Sequence, residues 1–150
     1  MSVKVLKFGG SSLADADHFR KVAEIVKSDP ERRYVVASAP GKRNEYDEKV
    51  TDLLFKCYQL TKEEKNIDSI FSSIKKRYKK IISDLGLSIS LDKEFSRIKM
   101  AILHHAGRDY IASRGEYLNA MILADFLGFD FIDAEKGIFF NDDGTFNAEE

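Results

Sequence analysis

The chain has 150 residues, of which 43% are hydrophobic and 33% charged, and 24 Lys+Arg against 25 Asp+Glu leave a formal net charge of −1. This suits one globular domain and excludes the broad basic face that binds nucleic acid. No apolar run approaches the ~20 residues of a membrane span, the single cysteine, Cys57, has no partner for an internal disulfide, and the first residues read as strand rather than as a secretory leader, so a cytoplasmic location is expected, with neither nucleic acid nor membrane as partner.

In chain order, residues 2–8 read as a strand built on the apolar run Val3 to Leu6. A helix follows over residues 15–28, with Phe19, Val22, Ala23 and Val26 on one face and Pro30 ending it. A second strand spans Tyr34 to Ser38. Strand, helix and strand at this spacing predict parallel pairing. The run Tyr34-Val35-Val36-Ala37 lacks polar alternation, which predicts cover on both faces. The polar loop Pro40 to Asp47 is expected to be the most mobile segment. Asp47 suits the N-cap of a helix carrying Val50, Leu53, Leu54, Cys57 and Tyr58.

The strongest stripe in the chain is Ile67, Ile70, Phe71, Ile74, Tyr78, Ile81 and Ile82, with Gly86 as its stop. Lys75, Lys76, Arg77, Lys79 and Lys80 on this helix read as a solvated face. Leu91, Phe95, Ile98 and Ile102 predict another helix behind Asp92. A further one carries Leu118, Met121, Ile122 and Phe126 and closes at Gly128. Phe129 to Ile132 then returns to strand, and Gly137 to Phe140 leads into an Asn141-Asp142-Asp143-Gly144 turn that reads as a hairpin or strand end.

The most informative chemistry is Lys7-Phe8-Gly9-Gly10-Ser11-Ser12, placed between a strand and a helix. Open α/β sheets bind phosphates at this position: glycines admit the ligand to the backbone, successive amides cradle an anion, and a lysine adds positive charge. A plain tight turn has the same spacing. The run lacks the third glycine of G-x-G-x-x-G. Gly41-Lys42 is no P-loop, because Arg43 and Val36 fill the hydroxyl and upstream glycine positions. Ser38 and Thr51 end a strand and open a helix, where hydroxyls either meet an anion or bond their own backbone. Gly115 inside a helix costs ~1 kcal/mol relative to alanine, so something is expected to approach closely beside Glu116. Arg114 reads as a surface neighbour. His104 and His105 lack partners at metal-ligand spacing and take a structural reading. Residues 141–150 echo a calcium loop only faintly, with Phe139 at the first ligand position, so no metal site is assigned.

Lys7 to Ser12 resembles the opening motif of the aspartokinases, within the amino-acid kinase family. Three further stretches agree in order: Val35-Val36-Ala37-Ser38-Ala39-Pro40-Gly41 resembles the second strand and its serine-bearing loop, Val50-Thr51-Asp52-Leu53-Leu54 the threonine opening the next helix, and Ser113-Arg114-Gly115-Glu116 a Ser-x-Gly-Glu motif. The segment between Ser38 and Thr51 is longer and more charged than the compact turn usual in the family. The resemblance implies an α/β amino-acid kinase fold, a parallel-rich open sheet with helices on both faces. It implies a catalytic Lys7 and an ATP-phosphate site of Lys7, Phe8, Gly9, Gly10 and Ser11. Ser38, Thr51 and Glu116 would bind L-aspartate, Glu116 through the α-ammonium. ATP would come with Mg²⁺, with no tightly bound cofactor, and the parent would be a homo-oligomer.

Implied too is that residues 1–150 are the N-terminal part of the catalytic domain, weak or inactive alone. The family's Gly-rich segment with its arginine and aspartate, most of its base pocket and its regulatory domains are absent from these residues. The competing readings are a kinase of acetylglutamate, glutamate or UMP, and a non-catalytic aspartate-binding module.

Overall fold

The structure, a computed structural model, describes residues 2–148. Strands β1 (Lys4–Phe8) and β2 (Arg32–Ala37) pair in parallel and are joined by helix α1 (Ala16–Lys27), as the strand–helix–strand spacing predicts. Lys7 lies opposite Val36 and Phe8 opposite Ala37. Between β1 and α1 the chain makes a 3₁₀ turn over Gly10–Leu13. Asp15 then caps α1 by accepting a hydrogen bond from the His18 amide at 3.0 Å.

Four helices follow: α2 (Val50–Lys62), α3 (Asp68–Asp84), α4 (Asp92–Leu103) and α5 (Arg108–Leu127). Their apolar stripes converge. Leu54 and Cys57 of α2, Ile74 and Tyr78 of α3, Ile98 and Ile102 of α4, and Leu118 and Ile122 of α5 share one buried core with Phe19, Val22 and Val26 of α1. Each large side chain fully buried there contributes roughly 1.5–3 kcal/mol of transfer free energy. Helices α3 and α5 stop where Gly86 and Gly128 take left-handed φ values of 67° and 72°. The amides of Leu87 and Phe129 can then turn back onto the carbonyls of Ile82 and Ala124. A short antiparallel hairpin, β3 (Phe139–Phe140) with β4 (Phe146–Asn147), encloses the expected turn.

Four expectations are corrected. The strand pair is covered on one face only among the described residues: Val5, Tyr34 and Val36 are 67%, 53% and 52% exposed. Side chains alternate along a strand, so Leu6, Phe8, Val35 and Ala37 turn toward the helices while their neighbours turn away. Phe129 to Ile132 pairs with no strand among the described residues. Phe131 instead packs edge-on against Tyr117 with ring centroids 5.4 Å apart, and the chain runs into a 3₁₀ turn at Ala134–Lys136. Asp47 does not cap α2. The cap position falls on Lys49 without a side-chain bond, because two guanidinium groups hold the Asp47 carboxylate. Arg77 is not part of a solvated face: only 7% exposed, it turns inward toward backbone carbonyls.

Candidate functional site

The site forms where β1 and β2 end. The Ser38 amide donates to the Phe8 carbonyl at 3.1 Å, extending the parallel ladder one residue past β2. The chain leaving β2 then crosses the turn that leaves β1, and the Gly41 amide donates to the Gly10 carbonyl at 2.8 Å. The two backbones touch there. A Cβ on Gly10 would lie 2.8 Å from the Ala39 carbonyl oxygen, and one on Gly41 would lie 2.6 Å from the Gly10 carbonyl carbon. No side chain fits at either position. Gly9 differs: its backbone is extended, with φ −75° and ψ 169°, and a Cβ would meet nothing within 4 Å.

Helix α5 forms the back of the site. The close approach expected at Gly115 is made by Ala39, whose Cβ would be 2.7 Å from a Cβ on Gly115. The buried Tyr78 hydroxyl donates to the Gly115 carbonyl at 2.8 Å, and burial pushes that phenol well above its ordinary pKa. One turn further along α5, buried Asn119 donates through Nδ2 to the Ser38 carbonyl at 2.7 Å. The first turn of α2 closes another side: the Val50 amide donates to the Pro40 carbonyl at 3.1 Å, which sets Thr51 at the helix start.

These elements enclose an open cavity of about 420 Å³. Gly10, Ser11, Ser38, Thr51 and Glu116 line it, together with Ala39, Pro40, Gly41, Lys42 and Lys49. Five residues singled out from sequence are thus brought together. Lys7, Phe8 and Gly9 lie just outside that lining. Lys7 is on the exposed face of β1, and Phe8 packs against the core.

The polar side chains of the lining have unused bonding capacity. The hydroxyls of Ser11, Ser38 and Thr51, the Glu116 carboxylate and the ammonium groups of Lys42 and Lys49 form no side-chain hydrogen bond or ion pair with another described residue. This contrasts with Ser113, also in the Ser-x-Gly-Glu stretch, whose hydroxyl donates to the Tyr110 carbonyl at 2.7 Å. Two ammonium groups, three hydroxyls, a helix N-terminus and one carboxylate suit a small ligand that is mainly anionic and carries one cation.

Sequence reasoning missed several contributors. Lys42 came up only in the Gly41-Lys42 pair that is no P-loop, and Lys49, just past the polar loop, was not singled out. Arg77, Asn119 and Tyr78 reach the site from other elements, and each was masked by a helical pattern that explained it otherwise. Arg114 is not a surface residue: it is 9% exposed and lies between the rings of Tyr110 and Tyr117, at 4.5 and 4.6 Å from their centroids. The loop read as mobile is tied down. Arg43 donates to Asp47 Oδ2 at 2.7 Å and Oδ1 at 2.9 Å, and these bonds hold the Asp47 carboxyl well below the usual carboxylate range. Cys57 is a buried core thiol, its pKa pushed up to about 11 by burial.

A sequence model of the amino acid kinase family matches residues 2–146. Aspartokinase 3 of Bacillus subtilis is 34% identical over 139 residues, covering 89% of this chain and 31% of the relative. The crystal structure of the Clostridium acetobutylicum aspartate kinase superposes with a TM-score of 0.94 at 45% identity, over 98% of this chain and 34% of that one. Aspartokinase III of E. coli, solved with lysine and aspartate, superposes with a TM-score of 0.68 at 26% identity over 84% of this chain and 29% of that one. The chain therefore spans about a third of the length of these relatives.

Proposed function

Since this chain belongs to the amino acid kinase family and is similar to aspartokinases, we propose that it is the N-terminal, aspartate-binding part of an aspartate kinase catalytic domain. The reaction proposed is transfer of the ATP γ-phosphoryl group to the side-chain carboxylate of L-aspartate, giving ADP and 4-phospho-L-aspartate, the entry to lysine, threonine and methionine synthesis. The observation that carries this reading is the cavity whose hydroxyls, ammonium groups and carboxylate all lack partners within the described protein. L-Aspartate has two carboxylates and one ammonium, which match Ser38, Thr51 and the lysines on one hand and Glu116 on the other.

Phosphoryl transfer asks a protein mainly to position groups and neutralise charge. In this reading the amides of Gly9 and Gly10 and the Ser11 hydroxyl hold ATP phosphates, and Lys7 stabilises the charge that develops on the transferring group. The space beside Gly9 would admit a phosphate to the backbone, since no described residue apart from its chain neighbours lies within 4 Å of where its Cβ would be. Charge neutralisation on the phosphates is the chemistry Mg²⁺ supplies. Among the described residues no group of three His, Cys, Asp or Glu side chains is placed to hold a metal. The proposal extends to a cytoplasmic homo-oligomer whose remaining catalytic groups lie outside these 150 residues.

The test is ATP turnover by the protein as encoded, with L-aspartate, L-glutamate, N-acetyl-L-glutamate and UMP offered separately, and acyl phosphate trapped by hydroxylamine. Aspartate-dependent turnover is expected; preference for any other acceptor, or none, overturns the reading. Lys7→Ala should lower kcat by about 10² or more, whereas Glu116→Ala should chiefly raise the KM for aspartate.

A further inference from the structure

Arg77 has a role that its place in a lysine-rich helical stretch conceals. Its guanidinium leaves α3 and reaches across to the chain between β2 and α2. Nη1 donates to the Glu48 carbonyl at 3.0 Å and pairs with Asp47 Oδ2 at 3.0 Å. Nη2 donates to the Gly41 carbonyl at 2.8 Å and to the Ala14 carbonyl, past the end of the 3₁₀ turn, at 3.3 Å. The partners are 29 to 63 residues away in sequence, and all but Ala14 belong to one loop.

That loop forms no helix or strand between β2 and α2. Its buried carbonyls must therefore find donors elsewhere, and one planar group with five N–H donors serves several of them at once. Burial disfavours the charge of Arg77, and Arg43 adds to that, while Asp47 opposes both. An arginine keeps its proton under such conditions where a lysine gives it up more readily. The loop held this way supplies Gly41, Lys42 and Lys49 to the cavity.

We propose that Arg77 is a positioning residue that fixes the Pro40–Lys49 loop as a wall of the amino-acid cavity, so that the lysines of the loop face the ligand. It rests, as regards the ligand, on the function proposed above. Removing the guanidinium frees the loop from Lys42 to Lys49, while β1 and Gly9, which Arg77 does not touch, stay in place, and the Gly41 amide keeps its bond to the Gly10 carbonyl. Displacement of a site wall by an ångström costs up to about 10²-fold in productive binding.

The experiment compares Arg77→Met, Arg77→Lys and Ile98→Ala in the protein as encoded. Ile98 is a buried α4 residue that takes part in none of the loop bonds, and its truncation supplies a destabilisation control. Two readouts are taken below the unfolding range of every variant. One is the rate of limited trypsin cleavage after Lys42 and Arg43; the other is the KM for L-aspartate against that for ATP. Arg77→Met should speed cleavage at these sites by about tenfold or more and raise the aspartate KM about tenfold or more. Its ATP KM should stay within about twofold. Arg77→Lys, which keeps one charge but not the fork, should lie between it and the parent. Ile98→Ala should move neither ratio.

Unchanged cleavage in both Arg77 variants overturns the clamp. Faster cleavage with an unchanged aspartate KM overturns its role in the site, as does an equal rise in both KM values. If the parent shows no aspartate-dependent turnover, the proposed function has failed, and the cleavage rates still decide whether Arg77 holds the loop.

Discussion

Replacing Gly115 by alanine separates a packing role from a helical accident. On an exposed helix the change would stabilise the fold by ~1 kcal/mol, because glycine is the poorer helix former by that amount. Here the new Cβ would sit 2.7 Å from the Ala39 Cβ and 3.4 Å from Leu54 Cδ1. Carbon atoms in good contact are roughly 3.5–4.0 Å apart. The Ala39 methyl has no rotamer to escape into, so α5 and the loop carrying Ser38 must part by about an ångström. Overpacking of this kind costs typically ~1–3 kcal/mol. Set against the helical gain, the net result is a loss of up to about 2 kcal/mol, or a few degrees in Tm for a protein of this size. Glu116 and Ser38 stand on the two elements that separate, so the aspartate KM should rise as well. Ala39→Gly in the same background removes the clashing atom. A double-mutant cycle by denaturant unfolding should give a favourable coupling of about 1 kcal/mol or more. A Gly115→Ala protein that is more stable than its parent, with no coupling to position 39 and an unchanged KM, would refute the reasoning.

The glycines of the first motif should behave differently from one another. Gly9→Ala, at an extended position with free space around it, should leave stability unchanged or raise it by up to about 1 kcal/mol while weakening ATP binding, whereas Gly10→Ala should destabilise because its Cβ would meet backbone; unfolding curves with ATP titrations check both. Asp47, held below the usual carboxylate range, binds fewer protons folded than unfolded, so it contributes stability above about pH 4 that is lost as pH falls toward its folded pKa. The loss of stability between about pH 5 and 3, measured by urea unfolding, should therefore be shallower in Asp47→Asn than in the parent.

Much of the fold was legible because period and punctuation agreed with it. The α3 stripe from Ile67 to Ile82 and its stop at Gly86 were readable, since a helix that buries one face must repeat its apolar residues and a left-handed stop favours glycine. The parallel strands followed from the helix between them. Phe129 to Ile132 was not readable in the same way: an apolar run has strand character, but a strand exists only through a partner. The site was half legible. Hydroxyls at element ends announce themselves by position, and Glu116 by the glycine beside it inside a helix. Arg77, Asn119 and Tyr78 act from helix interiors through bonds to distant carbonyls, and no local pattern encodes the address of such a bond.

The run Lys7 to Ser12 shows why a motif read from sequence merges separate requirements. Its two glycines look equivalent, and a tight turn and a phosphate site explain the pair equally well on spacing. In the structure, Gly10 is demanded by the protein itself, because the Ala39–Gly41 backbone occupies the place of its side chain. Gly41 is fixed likewise by the Gly10–Ser11 backbone and Gly115 by the Ala39 side chain, so three of the glycines around the site are accounted for with no ligand at all. Gly9 is not. Its φ and ψ suit any residue, and its missing side chain leaves space that no described residue fills. Glycine there forgoes the ~0.4–1 kcal/mol that alanine would contribute by restricting the unfolded chain. Of the two motif glycines, then, only Gly9 lacks a reason inside the described fold, and the case for a phosphate at this turn rests on it more than on the Gly-Gly pair.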